Sequence, residues 1–213
     1  MNKEKEIRQI TTDIELRAIG EEGSKEEYIE GYALKFERWS EVLGWGFKEI
    51  ISREALDNAD MSDVIALFNH SKMHPLARNN VESDKGNLSL EVDNIGLKFR
   101  FNPTDTSYAK DLKENMRSGI INKCSFAFYL DYRDSEAQEW DWDDGEKGYD
   151  QRRINKIAGL TDISIVTTPA YKDTESVVSA RCLESKESRD EHLKQEKQKQ
   201  NTKRKLELEL ELS

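Results

Sequence analysis

Apolar and polar residues alternate in short runs along much of the chain, a pattern typical of half-buried strands. Glycine-containing turns separate several of these runs and predict two hairpins, one across residues 20–25 and one across residues 94–96. Residues 131–150 are polar and acidic and predict a further β-excursion with a turn near its end. The other predicted strands cover residues 13–19, 28–36, 47–51, 63–70, 88–92, 97–101, 121–129, 152–158 and 160–168.

A helical pattern occurs only locally. Apolar residues recur every three or four positions within residues 106–117, and Gly119 is placed to end that helix. Shorter helical turns are predicted over residues 53–58 and 174–180. The predicted fold class is therefore α+β and mainly β.

The strand over residues 121–129 contains a candidate nucleophile. Side chains along a strand alternate between faces, so Cys124 and Phe126 point to one face and Ser125 to the other. The first face is bulky and suits a core, whereas the hydroxyl on the second face has a small neighbour, Ala127. A serine needs a base before it can act as a nucleophile. The alternative is a purely structural serine.

His70 is the candidate base. It ends the predicted strand over residues 63–70, and a polar loop is predicted from there to Lys85. With an acidic residue downstream to orient its ring, His70 and Ser125 would form a catalytic triad. The alternative is a solvated loop histidine, which is also the interpretation of His74.

Composition narrows the classes of partner. Charged residues make up 36% of the chain and the formal net charge is −10, which argues against duplex nucleic acid as the main partner. No apolar run is long enough to span a membrane, and the N-terminus lacks the apolar core of a signal peptide. Cys124 and Cys182 provide neither a disulfide framework nor metal-ligand spacing. We expect a soluble cytoplasmic chain with reduced thiols, no metal and no cofactor.

The C-terminal composition differs from the rest of the chain. Residues 184–205 are almost entirely charged or amide-bearing, which indicates a solvated helix or a disordered tail. Leucine and glutamate then alternate over residues 206–212, a strand period built from residues that favour helices. The predicted organisation is an N-terminal arm over residues 1–12, a domain over residues 13–183 and a charged tail over residues 184–213.

Four segments, in this order, resemble a known family. They are Glu30-Gly31-Tyr32-Ala33, Leu67-Phe68-Asn69-His70, Ser125-Phe126-Ala127-Phe128 and the run from Leu160-Thr161-Asp162 to Pro169-Ala170-Tyr171. Together they resemble the prohead (procapsid) maturation proteases of tailed phages, whose fold is similar to that of the herpesvirus assemblins. The resemblance implies a β-barrel ringed by a few helices, with Ser125 as nucleophile and His70 as general base.

The resemblance offers two kinds of residue for the third member of the site, an acidic residue or a second histidine. Asp162 lies where the family motif carries an acidic residue, and a carboxylate within an apolar strand needs a partner. Its alternative is an aspartate that faces solvent or a backbone amide. Assemblins use a second histidine instead, but His192 lies in the charged tail and is a poor candidate. Arg153 is a candidate oxyanion stabiliser by the same resemblance, and its alternative is a solvated edge position.

The function implied is that of a serine endopeptidase of phage head maturation. Its expected substrates are the scaffold protein and the capsid precursor, cut through an acyl-enzyme inside the procapsid in the host cytoplasm. The family also implies self-cleavage, and the assemblins suggest a dimer. The break in composition after Leu183 leads to the hypothesis that the tail tethers the enzyme to the scaffold and is later removed.

Two rival functions remain open at this point. One is a non-enzymatic capsid assembly or scaffolding protein with the same fold. The other is a cysteine hydrolase that uses Cys124, because this chain has Lys123-Cys124 where the family commonly has glycine near the serine. Strand alternation favours a core thiol over this nucleophile. A nucleic-acid-binding barrel is disfavoured by the acidic balance.

Overall fold

The computed structural model describes residues 5–19, 26–143, 145–167 and 180–211. The chain divides into two compact units, residues 1–177 and residues 178–213. The first contains the sheets and the second contains one long helix. Among the helices described, none is both long and apolar enough to cross a membrane.

Strands dominate the first unit, as the sequence predicts. The strands are β1 (Lys5–Ile19), β2 (Glu26–Lys35), β3 (Phe47–Ile51), β4 (Ile65–Phe68), β5 (Ser71–Arg78), β6 (Leu88–Val92), β7 (Gly96–Phe101), β8 (Lys123–Tyr129), β9 (Gln138–Asp141), β10 (Asp150–Ile154) and β11 (Gly159–Val166). The helices are α1 (Ser107–Arg117) and α2 (Ala180–Glu211), with a short 3-10 turn at Arg53–Leu56. Both predicted hairpins form, as β1–β2 and β6–β7. β9 lies within the predicted excursion and pairs with β10, which overlaps the strand predicted over residues 152–158.

The strands form one large sheet and one small sheet. The large sheet has eight strands in the order β5-β4-β11-β8-β1-β2-β7-β6, and the small one has the order β3-β10-β9. The predicted closed barrel is not confirmed. Beyond a single isolated bridge between Arg78 and Asn87, no ladder is described between β5 and β6, so these strands remain the two edges of an open sheet.

β1 is longer than predicted and serves two neighbours. Its second half pairs with β2, whereas residues 5–10 pair with β8. The sequence pattern missed this first half because two of its inward positions, Glu6 and Arg8, are charged rather than apolar. Both side chains are buried, and they satisfy each other and further partners through ion pairs.

β5 corrects the prediction of a polar loop after His70. Residues 71–78 form a strand at the edge of the sheet, in which Leu76 and Ala77 are buried and the other side chains are exposed or half-buried. Pro75 argued against a strand in the sequence, but an edge strand tolerates proline because one row of its backbone groups has no partner strand.

α1 and β8 contribute to one apolar core. Ala109, Leu112 and Met116 of α1 are buried in it, at the spacing that the sequence predicts. Phe126 and Phe128 are fully buried in the same core, and their rings stack 5.4 Å apart. Burying each side chain of this size contributes about 1.5–3 kcal/mol, so this packing fixes which face of β8 points inward.

α2 extends from Ala180 to Glu211 as one helix. Its last turns include most of the leucine–glutamate alternation, where the helix propensity of both residue types prevails over the strand period. The predicted helix over residues 174–180 lies almost wholly outside the described residues.

Candidate active site

Ser125 lies at the centre of the large sheet. β8 runs between β1 and β11, and Ser125 is opposite Gln9 on one side and Ser164 on the other. Cys124, the preceding residue, belongs to the apolar core, as the alternation predicts. Ser125 is itself fully buried.

His70 lies in a two-residue turn between β4 and β5. Asn69 and His70 both have positive φ, 51° and 54°, as the tight hairpin turns that match strand twist require. The turn is fixed by the Asn69 N–H, which donates to the Ile165 carbonyl at 2.9 Å. The Asn69 side-chain oxygen accepts the Thr167 N–H at 3.1 Å. Such left-handed conformations outside glycine are uncommon and occur often at functional sites.

β11 brings the third residue to the site. It pairs in parallel with β4 and antiparallel with β8, so it carries Asp162 between the strand that leads to His70 and the strand of Ser125. His70 Nδ1 lies 2.6 Å from Asp162 Oδ1, and His70 Nε2 lies 2.5 Å from Ser125 Oγ. The three residues nominated from the sequence are therefore in direct contact, in the order Ser125, His70, Asp162.

Asp162 is held as a carboxylate. Burial opposes its ionisation, but hydrogen bonds from His70 and Lys5 outweigh that effect and lower its pKa to about 2. Lys5 Nζ lies 2.7 Å from Asp162 Oδ2, on the oxygen that His70 does not use. Thr161 Oγ1 also approaches this oxygen, at 3.3 Å. The charge beside the imidazole is thus fixed at neutral pH.

Ser164 is a member of the site that the sequence analysis missed. Its hydroxyl donates to Asp162 Oδ1 at 2.9 Å and lies 3.1 Å from His70 Nδ1. It also accepts the backbone N–H of His70 at 3.2 Å. A signal was available in the sequence, because residues two apart on a strand share a face and Ser164 follows Asp162 by two.

The other nominated residues lie elsewhere. Arg153 is on β10 in the small sheet and forms an ion pair with Glu37 at 2.5 Å, with 38% of its side chain exposed. Its described contacts do not include Ser125, so its oxyanion role stays a prediction. His74 lies 3.0 Å from Ser71 Oγ, and His192 is exposed on α2.

A second group of buried charges lies beside the site, and we call Glu6, Arg8, Glu49 and Arg152 the ion-pair cluster. The Arg8 guanidinium donates to both carboxylate oxygens of Glu49, at 2.7 and 2.9 Å. Arg152 bonds both oxygens of Glu6, at 2.7 and 3.0 Å, and Glu49 at 2.9 Å. Burial opposes ionisation of Glu6, but Arg8 and Arg152 outweigh it and lower its pKa to about 2. The cluster joins β1 to the small sheet.

Cys124 has the properties of a core thiol. It is fully buried, and burial raises the pKa of its thiol well above the usual range. Because the thiolate is the reactive form, such a cysteine is a poor nucleophile. Among the described residues, no group of three histidine, cysteine or acidic side chains is arranged to hold a metal ion.

Comparison with known proteins identifies the family. Residues 12–189 match the family described as caudovirus prohead serine protease. No curated protein matches the chain. Among solved structures, the chain is similar to the bacteriophage T4 capsid assembly protease gp21, with 14% identity and a TM-score of 0.49, over 79% of this chain and 100% of that one. Because the family match extends over most of the 213 residues, this chain belongs to the caudovirus prohead serine proteases.

Proposed function

We propose that this prohead serine protease cleaves peptide bonds with Ser125 as nucleophile, His70 as general base and then acid, and Asp162 as the group that orients His70. One observation carries the assignment. The His70 imidazole lies between Ser125 Oγ and Asp162 Oδ1, within hydrogen-bond distance of both. This is the arrangement that a serine needs for activation.

The reaction follows from the order of the contacts. His70 Nε2 takes the Ser125 proton as the oxygen attacks the scissile carbonyl carbon, which forms a tetrahedral intermediate. His70 then gives that proton to the leaving amine, and an acyl-enzyme ester remains on Ser125. A water molecule, deprotonated by His70, hydrolyses the ester and restores the serine.

Asp162 and Ser164 hold the imidazole in its working position. An ionised Asp162 accepts the Nδ1–H, which fixes the tautomer that leaves Nε2 free to accept a proton, and it stabilises the imidazolium formed during the reaction. Ser164 contacts the ring, the carboxylate and the backbone N–H of His70. We assign Ser164 as a positioning residue because it acts through His70 and Asp162.

The proposed substrates are the scaffold protein and the capsid precursor, cut within the procapsid in the host cell. Membership of a prohead protease family supports this location of the activity. We further propose self-cleavage after the domain, which would release the charged helix α2, and a dimeric enzyme. Intact mass of the protein in procapsids and in mature particles tests whether the segment that includes α2 is removed.

Co-expression with the cognate capsid precursor tests the proposal. Wild type, Ser125→Ala and Cys124→Ala would be compared by intact mass of both proteins. We expect a defined cleavage in wild type and Cys124→Ala that is absent from Ser125→Ala. Cleavage that persists in Ser125→Ala would refute the mechanism, and its loss in Cys124→Ala alone would move the nucleophile by one residue. Normal capsid maturation without any cleavage would support the non-enzymatic assembly function.

A further inference from the structure

The proposed nucleophile is closed off in this structure. Ser125 is fully buried, although an enzyme that cuts polypeptides must bring its hydroxyl to a substrate carbonyl. Its Oγ lies 2.9 Å from the main-chain carbonyl oxygen of Arg8, in addition to its contact with His70. A hydroxyl has one hydrogen and cannot donate to both groups at once. The Arg8 carbonyl therefore competes with the base for the proton that the base must remove.

The group that competes belongs to the first part of β1. Residues 5–10, which we call the covering segment, pair along β8 with Gln9 opposite Ser125. The same segment carries Lys5, whose ammonium group occupies Asp162 Oδ2. The covering segment thus contacts two of the three proposed catalytic residues, the nucleophile through its backbone and the carboxylate through a side chain.

A bulge separates the covering segment from the rest of β1. The register with β8 shifts between Ile10 and Asp13, pairing with β8 resumes at Asp13, opposite Lys123, and pairing with β2 begins at Ile14. The match to the prohead protease family begins at residue 12, after the covering segment. The part of β1 that pairs with β2 therefore lies within the region matched to the family, whereas residues 5–10 lie before it.

Departure of this segment breaks the buried ion pairs of Arg8 with Glu49 and of Glu6 with Arg152, but it leaves no single charge unpaired. Glu6 and Arg8 both belong to it and are paired with each other, so the segment carries a balanced pair of these charges. Glu49 and Arg152 stay behind on the small sheet and remain paired at 2.9 Å. A single charge left unpaired in a protein interior is strongly destabilising, whereas departure of this segment leaves a matched pair.

We propose that the covering segment is an internal inhibitor, and that it must leave β8 before Ser125 can act on a polypeptide. Its departure exposes an edge of β8 next to Ser125, whose backbone N–H and C=O groups can pair with another extended chain. The ligand class of this edge is an extended polypeptide, and in the free protein residues 5–10 occupy it. This inference rests on the function proposed above and concerns the regulation of the same site.

Variants of the full-length protein test the inference. Ile7 is half-buried and lies opposite Ala127 on β8. Ala127 in turn lies opposite Asp162 on β11. Ile7→Asp replaces a half-buried apolar side chain of the covering segment with a charged one, which weakens pairing of the segment with β8. Leu16→Asp is the matched control, because it makes the same change at a half-buried position of β1 that pairs with β2.

Three quantities would be measured on each protein: the rate at which a fluorophosphonate labels Ser125, hydrogen exchange of the backbone amides of residues 5–10, and hydrolysis of fluorescent casein. We expect Ile7→Asp to raise both the exchange and the labelling rate, the latter roughly tenfold, as the loss of apolar burial predicts. Leu16→Asp should leave the labelling rate unchanged. Faster exchange in Ile7→Asp without faster labelling would overturn the inference, provided that wild type labels at Ser125.

A reversible lock provides the second measurement if Ile7→Asp does not raise the exchange. The double variant Ile7→Cys with Ala127→Cys places two thiols at opposite positions of β1 and β8. Oxidation would form a disulfide that holds the covering segment on β8. We expect the oxidised protein to lose labelling and casein hydrolysis, and reduction to restore both. Equal labelling in the two states would refute the inhibitor while leaving the protease intact. Two other results would instead refute the proposed function. One is fluorophosphonate labelling that is as fast in Ser125→Ala as in wild type. The other is a protein that is not labelled although the backbone amides of residues 5–10 exchange freely.

Discussion

Two groups of charged and polar side chains lie along β1 and differ in the chemistry that they can perform. The ion-pair cluster contains two guanidinium and two carboxylate groups, each bonded to groups of opposite charge and essentially closed to solvent. The site around Ser125, which we call the catalytic cluster, contains Asp162, His70, Ser164 and Lys5. By strand alternation, Arg8 points to the face of Phe126 and Lys5 to the face of Ser125.

The two clusters differ in whether their groups can exchange a proton near neutral pH. In the ion-pair cluster the two arginines do not titrate near neutral pH, and the pKa of Glu6 is lowered to about 2. The catalytic cluster joins one fixed carboxylate to an imidazole and two hydroxyl groups, whose hydrogens can move. One cluster therefore stabilises the junction of the sheets, and the other can transfer a proton.

The change that should reduce activity most is Asp162→Asn in the catalytic cluster. Asp162→Asn preserves the shape of the catalytic cluster but no longer stabilises the working tautomer and the imidazolium of His70. We expect kcat to fall about 10⁴-fold, as for an aspartate of this role in other triads. Rates of casein hydrolysis by the two proteins measure the effect. A loss below roughly tenfold would mean that Asp162 is not the orienting group.

The ion-pair cluster should respond in stability instead. Arg152→Met leaves Glu6 and Glu49 buried beside a single guanidinium, and we expect the free energy of unfolding to fall by about 3–5 kcal/mol. Denaturant unfolding of both proteins measures the change. The control is Arg153→Met on the same strand, where a partly exposed ion pair with Glu37 contributes less than about 1 kcal/mol. Equal losses in the two variants would contradict a special role for the cluster.

Acid should weaken the catalytic cluster at a defined pH. The folded pKa of Asp162 is lowered from its usual 3.8 to about 2, so its stabilising contribution is complete above the unfolded value and is lost as the pH falls towards 2. We expect the advantage of wild type over Asp162→Asn in unfolding free energy to shrink by about 2 kcal/mol across this window. Unfolding of both proteins at several pH values measures it. If the difference in unfolding free energy between the two proteins did not change with pH, the contacts with His70 and Lys5 would not lower the pKa of Asp162.

The smallest expected effect concerns Ser164. Ser164→Ala removes one contact with the His70 ring and one with Asp162, but leaves the direct bond between these two residues. We expect kcat to fall roughly tenfold, the value of one hydrogen bond to a charged group, with little change in KM. Ser164→Thr keeps the hydroxyl and should recover most of the activity. A loss confined to KM, or a threonine variant as slow as alanine, would exclude the positioning role.

Much of the fold could be predicted because its strands have clear apolar faces. The two hairpins, β3, β8 and α1 agree with the sequence pattern within a residue or two at most ends. The first half of β1 was missed because its inward side chains are Glu6 and Arg8. β5 was missed because an edge strand needs no apolar alternation and tolerates Pro75.

The mainly-β class, the strand of Ser125 and its division into a core face and a polar face follow from the amino-acid sequence alone, since these depend on local periodicity. Its resemblance to a family also nominated His70 and Asp162. That these residues meet depends on the tertiary structure, because β11 pairs with both β4 and β8 and so brings together His70 and Asp162, which are 92 positions apart in the chain. The same sheet order brings Ser164 into the catalytic cluster and places residues 5–10 alongside β8, with Gln9 opposite Ser125. Contacts between strands distant in sequence depend on sheet order, which no local pattern encodes.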